Sequence, residues 1–130
     1  MEPLTVSSRR RDGWSVVEVA GELDISTAYR LGDHLEDVIG GRGPADVVLD
    51  LSRLEFCDAS GLSVVAWAHH AARDRDGRLR LVCPEGLTRR LLRITELADA
   101  IPVHGTVAEA LESPVEAQRD EAPSAATCLA

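Results

Sequence analysis

Residues 46–72 have the sequence DVVLDLSRLEFCDASGLSVVAWAHHAA, and the predicted fold is built around this stretch. Its first part is an aliphatic run with almost no polar alternation, formed by Val47, Val48, Leu49 and Leu51. Such a run is typical of a strand that is covered on both faces of a sheet. Its last part, residues 62–72, is rich in alanine and long enough for a helix. The stretch therefore predicts a central strand followed by a helix.

The connection between this strand and helix is Cys57-Asp58-Ala59-Ser60-Gly61. Asp58 is a good N-cap, because its carboxylate can accept hydrogen bonds from the backbone N–H groups two and three residues on. Ser60 then lies in the first helical turn, and its hydroxyl faces solvent. Such a serine is either a second capping or solvating hydroxyl or a phosphate acceptor, since free N–H groups and the helix dipole favour a phosphoryl group there. Position alone leaves both interpretations open.

Strands and helices alternate along the rest of the chain. Residues 4–8 and 14–20 predict a hairpin, and residues 26–39 predict a helix that Asp24 or Ser26 caps. After the strand and helix of residues 46–72 we expect a strand at 79–82, a helix, a short strand at 101–103 and a last helix from Thr106. The inward side of the third predicted helix carries Leu87, Leu91, Ile94 and Leu97. Alternation of this kind predicts an α/β fold with parallel strands, crossover helices and an antiparallel N-terminal β-hairpin.

The composition limits the number of domains and the classes of function. A chain of 130 residues suits one domain, and only 3% of it is aromatic, so the core consists of Val, Leu, Ile and Ala. Residues 113–130 are mostly Pro, Ala, Glu and Ser, and we expect a disordered tail there. The formal net charge is −8, and an acidic chain without a basic stripe argues against direct nucleic-acid binding.

The three cysteines, Cys57, Cys83 and Cys128, are odd in number and lack the spacing of a metal site. Free thiols in a reducing cytoplasm are the simplest account. No apolar stretch reaches membrane-spanning length, and the N-terminus lacks the layout of a signal peptide. We therefore expect a cytoplasmic protein with no membrane association, no metal and no cofactor.

A small hydrolase is a weak alternative. The context of Ser60 is not the G-x-S-x-G elbow of hydrolases. His69 lies on the same predicted helix about 13 Å along the axis, which is too far for a general base. His69 and His70 point about 100° apart, so they do not form a metal pair. We therefore expect no catalytic residues.

Two motifs resemble those of bacterial anti-sigma factor antagonists, which belong to the STAS-domain family. One is Asp50-Leu51 followed by Phe56-Cys57-Asp58-Ala59-Ser60-Gly61-Leu62, and the other is Gly21-Glu22-Leu23-Asp24. The two motifs at this separation are specific together, and the resemblance covers roughly residues 4–112. It implies a STAS domain over residues 1–112, with a mixed sheet and helices packed over it.

The resemblance also implies a function. Unphosphorylated, such a protein binds an anti-sigma factor that is an ATP-dependent serine kinase, and this frees a sigma factor. Phosphorylation at Ser60 switches the protein off, and a serine phosphatase resets it. Residues matching Asp24 and Asp58 help to engage the kinase and to orient the hydroxyl. The chain departs from the family at Ala59, where Ser or Thr is common, and at Ser63, where Gly is common.

Helix geometry adds Trp67 to the expected partner-binding residues. Seven residues rotate a helix by about 700°, so Trp67 lies on nearly the same stripe as Ser60, about 10 Å along the axis. The inward side is filled by Leu62, Val65, Ala68 and Ala72. The complete expected partner surface is Asp24, Asp58, Ala59, Ser60, Gly61, Ser63 and Trp67.

A different class of function remains open within the same family. Some STAS domains are scaffolds or ligand-binding modules of larger signalling or transport assemblies and do not switch by phosphorylation. The intact Asp-x-Ser-Gly motif at residues 58–61 favours the switch.

Overall fold

A computed structural model describes residues 4–41 and 43–112. The predicted disordered tail, residues 113–130, lies outside the described residues. In chain order the elements are β1 Thr5–Arg11, β2 Trp14–Leu23, α1 Ala28–Ile39, β3 Asp46–Cys57, α2 Ala59–Asp74, β4 Arg78–Val82, α3 Leu87–Ile94, α4 Leu97–Ala100, β5 Val103–His104 and α5 Val107–Glu112.

The five strands form one sheet in the order β1-β2-β3-β4-β5. β1 and β2 are antiparallel, and every later pair is parallel. Arg11 pairs with Trp14, so Asp12 and Gly13 alone form the hairpin turn. Both have positive φ, of 53° and 85°, as the two-residue hairpin turn that matches strand twist requires. The predicted α/β fold with a mixed sheet and an N-terminal hairpin is confirmed.

The central strand β3 is buried on both faces, as predicted. Val47, Leu49 and Leu51 face the larger core under α1 and α2. Val48 faces the opposite side, where it packs with Val16, Val82 and Ala110 of α5. This double burial explains why β3 has almost no polar alternation in its first half.

The smaller core also contains a buried arginine. Arg80 of β4 is 1% exposed, its guanidinium carbon lies 4.5 Å from the centroid of the Trp14 ring, and Nη1 donates to the carbonyl of Ala110. A guanidinium over an indole face is favourable when both are desolvated. Arg80 therefore joins the hairpin, the sheet and α5.

Two helical predictions need correction. Helix α1 begins at Ala28, and its N-cap is Thr27, which makes no side-chain capping bond, so neither Asp24 nor Ser26 is the cap residue. In the third predicted helix, Leu87 and Ile94 are 80% and 67% exposed, and the buried residue is Leu92. That helix ends at Ile94, because Glu96 has the left-handed φ of 67° and starts the separate helix α4.

The register places two aspartates at one edge of the sheet. Leu23 pairs with Cys57, so β2 and β3 end side by side, and each is followed by an aspartate. The backbone N–H of Asp58 donates to the carbonyl of Leu23 at 3.1 Å. The turns that begin at Asp24 and Asp58 are therefore neighbours at the carboxyl ends of the strands, which is where α/β sheets commonly carry their binding sites.

Candidate functional site

The turn after β3 is organised by the Asp58 carboxylate. Its Oδ1 accepts hydrogen bonds from the backbone N–H of Ser60 at 2.9 Å and of Gly61 at 3.4 Å. Asp58 has extended backbone angles, and α2 begins at the next residue. The predicted N-cap is thus confirmed, and these two bonds hold the first turn of the helix in place.

Ser60 lies in that first turn and is half-buried. Its backbone N–H is used by Asp58, whereas its hydroxyl makes no hydrogen bond to any residue that the structure describes. The positive end of the α2 dipole lies at the same turn. The site therefore presents one unengaged hydroxyl where added negative charge is stabilised.

Gly61 allows α2 to begin this close to the sheet. A Cβ at this position would lie 2.6 Å from both Cγ and Cδ2 of Leu23 and 2.9 Å from Sγ of Cys57. Carbon and sulfur atoms do not approach so closely, so a side chain here would push the helix start away from β2. Gly61 is buried, and it serves the site by positioning Ser60.

The turn after β2 holds its hydroxyl differently. Oδ1 of Asp24 accepts hydrogen bonds from the backbone N–H of Ser26 at 2.9 Å and from its hydroxyl at 2.7 Å. The Ser26 hydroxyl bond is the main reason why the pKa of Asp24 lies below its usual value. Nearby, the Thr27 hydroxyl donates to the carbonyl of Glu22 at 2.8 Å. Asp24 is therefore engaged within its own turn, beside the Ser60 turn.

The remaining expected surface residues lie along α2. Ala59 and Ser63 are exposed, and the Ser63 hydroxyl donates to the Ala59 carbonyl at 3.1 Å. Trp67 is 41% exposed and lies outside the core, whereas the four residues predicted to face inward are all buried: Leu62, Val65, Ala68 and Ala72. The predicted orientation of α2 is confirmed, and contact with a partner stays a prediction.

The geometry gives little support to catalysis or metal binding at this edge of the sheet. Ser60 and His69 lie nine positions apart on the single helix α2, which separates them by about 13 Å along the axis. Burial, with a smaller effect of Asp58, raises the pKa of the Cys57 thiol to about 11, so the thiol is not poised as a nucleophile. Within residues 4–41 and 43–112, no group of three or more His, Cys, Asp or Glu side chains could hold a metal ion.

Two surface hollows beside the Ser60 turn were missed by the sequence analysis. One, of about 330 Å³, lies between the end of β3 and α3 and is lined by Phe56, Leu87, Leu91 and Ile94 among others. The second, also of about 330 Å³, lies between α1 and α2 and is lined by Tyr29, Gly32, Ser63 and Trp67 among others. The sequence could have indicated the second hollow, because Tyr29 and Trp67 are large side chains that lie outside the apolar stripes of their helices.

Known proteins resemble this chain over most of its length. The model of the STAS domain family matches residues 5–110. An anti-sigma F factor antagonist of Paenibacillus polymyxa is 26% identical over 108 residues, which cover 83% of this chain and 92% of that protein. The crystal structure of an anti-sigma factor antagonist from Mycobacterium paratuberculosis is 32% identical, with a TM-score of 0.77, and the match covers 83% of this chain and 91% of that one.

A more distant structure shares the fold alone. It is the Bacillus cell fate determinant SpoIIAA in its phosphorylated form, 21% identical with a TM-score of 0.64 over 83% of this chain and 97% of that one. No helix in the described part of the chain has the length and apolar character needed to cross a membrane. From the match of the family model over residues 5–110, together with these relatives, we conclude that the chain belongs to the STAS domain family and is similar within it to anti-sigma factor antagonists.

Proposed function

We propose that this protein is an anti-sigma factor antagonist that binds an anti-sigma factor kinase and is switched off by phosphorylation of Ser60. The observation that carries the proposal is the Ser60 hydroxyl, which is unengaged among the described residues at a helix start fixed by Asp58. Relatives named as anti-sigma factor antagonists support it at the level of the whole domain.

In the proposed reaction, Oγ of Ser60 attacks the γ-phosphorus of ATP. The bond between that phosphorus and the bridging oxygen breaks, ADP leaves, and the serine proton passes to a base of the kinase. Oδ1 of Asp58 accepts two backbone N–H groups of the first turn of α2. Its part is to hold Ser60 in one place, and positioning supplies much of the catalysis in phosphoryl transfer.

The phosphate changes the partner surface more than the fold. It adds about −1.5 to −2 charges at Ser60. The α2 N-terminus tolerates this charge, because the helix dipole favours anions there. A partner surface shaped for a neutral hydroxyl near Asp24 and Asp58 does not tolerate the added charge. A loss of about 2–3 kcal/mol of binding free energy weakens binding roughly 30- to 150-fold.

The partners follow from this proposal. The unphosphorylated protein occupies the anti-sigma factor kinase, so that the sigma factor held by that kinase is released. A serine phosphatase removes the phosphate and restores binding. The proposed location is the cytoplasm, where ATP, the kinase and the sigma factor meet.

One observation favours a second candidate function, that of a ligand-binding STAS module. The hollow between β3 and α3 has an apolar lining with Thr88 and Arg90 among its residues, and Leu87 and Ile94 are exposed beside it. Glu55 also lines the hollow, so its one acidic and one basic side chain balance, and a small, largely apolar ligand would suit such a site. This candidate predicts no requirement for Ser60.

The test is phosphorylation by the purified cognate kinase with ATP, followed by intact-mass measurement and peptide mapping. We expect one phosphate on the wild-type chain, none on Ser60→Ala, and one on the matched control Ser63→Ala. Ser60→Ala should bind the kinase and stay bound, whereas Ser60→Asp should bind roughly 30- to 150-fold more weakly. A phosphate on Ser26, Thr27 or Ser63, with Ser60 unmodified, would contradict the proposal.

A further inference from the structure

Helices α1 and α2 leave a trough between them on the outer surface. The hollow that contains Ser63 and Trp67 continues into another of about 250 Å³, and the two share Glu36 and Trp67. The second hollow ends at Asp74 and Arg75 at the last turn of α2. The α1/α2 trough therefore runs from Ser63 to Asp74, a distance of about 16 Å along the helix axis or three helical turns.

The wall of the trough is apolar and carries two exposed aromatic rings. Tyr29 is 65% exposed and Trp67 is 41% exposed. Gly32 lines the same hollow, and a Cβ at Gly32 would meet nothing within 4 Å. Paired aromatic side chains around an open position are typical of the centre of a protein interface.

The rim of the trough is acidic. It carries Asp33, Glu36 and Asp74, and no ion pair joins any of these carboxylates to another described residue. Arg75, the basic side chain among the described lining residues, donates to the carbonyl of Gly41. Uncompensated carboxylates beside two aromatic rings favour Arg and Lys side chains, which can use both ion pairing and cation–π contact.

From this complementarity we infer that the α1/α2 trough binds a basic amphipathic helix, about three turns long, of the same kinase that modifies Ser60. Its apolar face would pack on Tyr29 and Trp67, and its Arg or Lys side chains would reach the three rim carboxylates. The inference rests on the proposed function, because it takes the kinase as the partner. Ser63 at one end of the trough lies a single turn beyond Ser60, so both surfaces face one bound partner.

The trough should contribute affinity that phosphorylation does not remove. Asp74 lies about 21 Å from Ser60 along α2, beyond the screening length of about 8 Å at physiological salt. A charge at Ser60 therefore changes binding at its own end and leaves the far end of the trough largely unaffected. The two surfaces should act independently, with multiplicative effects on Kd.

Three variants test the trough against the kinase. Gly32→Gln fills the open position, and Gln has a higher helix propensity than Gly, so the fold is kept. Glu36→Gln and Asp37→Asn remove one negative charge each from adjacent exposed positions, and only Glu36 lines the trough. We expect a rise in Kd of about 10-fold for Gly32→Gln and about threefold with weaker salt dependence for Glu36→Gln. Asp37→Asn should leave Kd unchanged.

The same variants in the Ser60→Asp background complete the experiment. An equal fold-change from Gly32→Gln in both backgrounds supports two independent surfaces, and loss of that fold-change in the Ser60→Asp background contradicts it. If Ser60→Asp weakens binding while Gly32→Gln does not, the trough inference is wrong and the proposed function stands. Equal effects of Glu36→Gln and Asp37→Asn also overturn the inference. If no kinase phosphorylates or binds the chain, both the proposed function and the inference fail.

Discussion

Two turns at the same edge of the sheet have the same Asp-x-Ser pattern and different outcomes. In Asp24-Ile25-Ser26 and in Asp58-Ala59-Ser60, the backbone N–H of the serine donates to Oδ1 of the aspartate at 2.9 Å. In the first turn the serine hydroxyl also donates to that oxygen, at 2.7 Å. In the second turn the hydroxyl has no such bond among the described residues.

The difference follows from where each helix begins. After Asp58 the helix starts at the next residue, which places Ser60 in the first turn of α2. After Asp24 three residues intervene before α1 begins at Ala28, and Ser26 folds back on the aspartate. Of these two Asp-x-Ser turns, the one whose helix starts at once leaves the serine hydroxyl free, and Gly61 permits that start.

Adding a methyl group to Gly61 should disturb the close start of α2 and give the largest loss of stability that we expect. Gly61→Ala places Cβ against Leu23 and Cys57 and should lower the free energy of unfolding by about 1–3 kcal/mol through overpacking. The matched control is Gly32→Ala in α1, where the space is open and alanine should stabilise the fold by about 0.5–1 kcal/mol. Urea unfolding of both variants measures the contrast. Equal stability of the two variants would contradict the close packing at Gly61.

Removal of the aspartates should give a smaller and unequal effect. Asp58→Ala loses the carboxylate that caps α2 and should cost about 1 kcal/mol. Asp24→Ala should lower the melting temperature less, because the N–H groups of Thr27 and Ala28 bond to the Asp24 backbone carbonyl, which alanine keeps. Thermal unfolding by circular dichroism compares the two. A larger loss for Asp24→Ala would show that its side chain supports α1.

These contrasts also mark how far the sequence could predict the site. Three features were predictable because each is written in a short, continuous stretch of sequence. They are the Asp58 cap, the double burial of β3 and the inward face of α2. The Asp24 turn was not, because Asp, Ser and Thr within four positions offer several capping arrangements that only tertiary contacts distinguish. The close approach of Gly61 to Leu23 was not predictable either, because these residues lie far apart in the sequence and meet only in the folded sheet.

Helix α3 shows a second limit. The spacing of Leu87, Leu91 and Ile94 predicted one inward stripe, whereas the observed inward side is Thr88, Leu91 and Leu92. Leu87 and Ile94 lie roughly 90–115° away from the centre of that side at 100° per residue. A helix of eight residues has too few apolar positions to fix its rotation from the pattern alone, so the hollow beside Phe56 could not be predicted.

Negative charge should have opposite effects on stability in the two turns, both of them small. Ser60→Asp places a carboxylate in the first turn of α2, where the dipole contributes about 0.3–1 kcal/mol in favour of the helix. Ser26→Asp removes the hydroxyl that donates to Asp24 and puts a second carboxylate beside it, so its melting temperature should fall. A large drop for Ser60→Asp would mean that Ser60 is not open to solvent. Such a drop would weaken the case for phosphorylation there.

The smallest expected effect is on the titration of Asp24. Its pKa lies below the usual 3.8, chiefly because the Ser26 hydroxyl donates to the carboxylate, and Ser26→Ala should raise it toward that value. A folded pKa below the unfolded one means that the ionised form is favoured by folding, so this stabilisation is present above the unfolded pKa. It is lost as the pH falls through the lower, folded pKa.

Because the Asp24 side chain is only partly buried, the change in stability should be slight, and the carboxyl carbon shift in an NMR titration is the better measurement. The Ser63→Ala variant is the control, since the Ser63 hydroxyl bonds to the Ala59 carbonyl and not to Asp24. A pKa for Asp24 that is unchanged by Ser26→Ala would mean that the Ser26 hydroxyl is free in solution. The two turns would then offer equivalent hydroxyls, and the choice of Ser60 over Ser26 would have to come from the kinase alone.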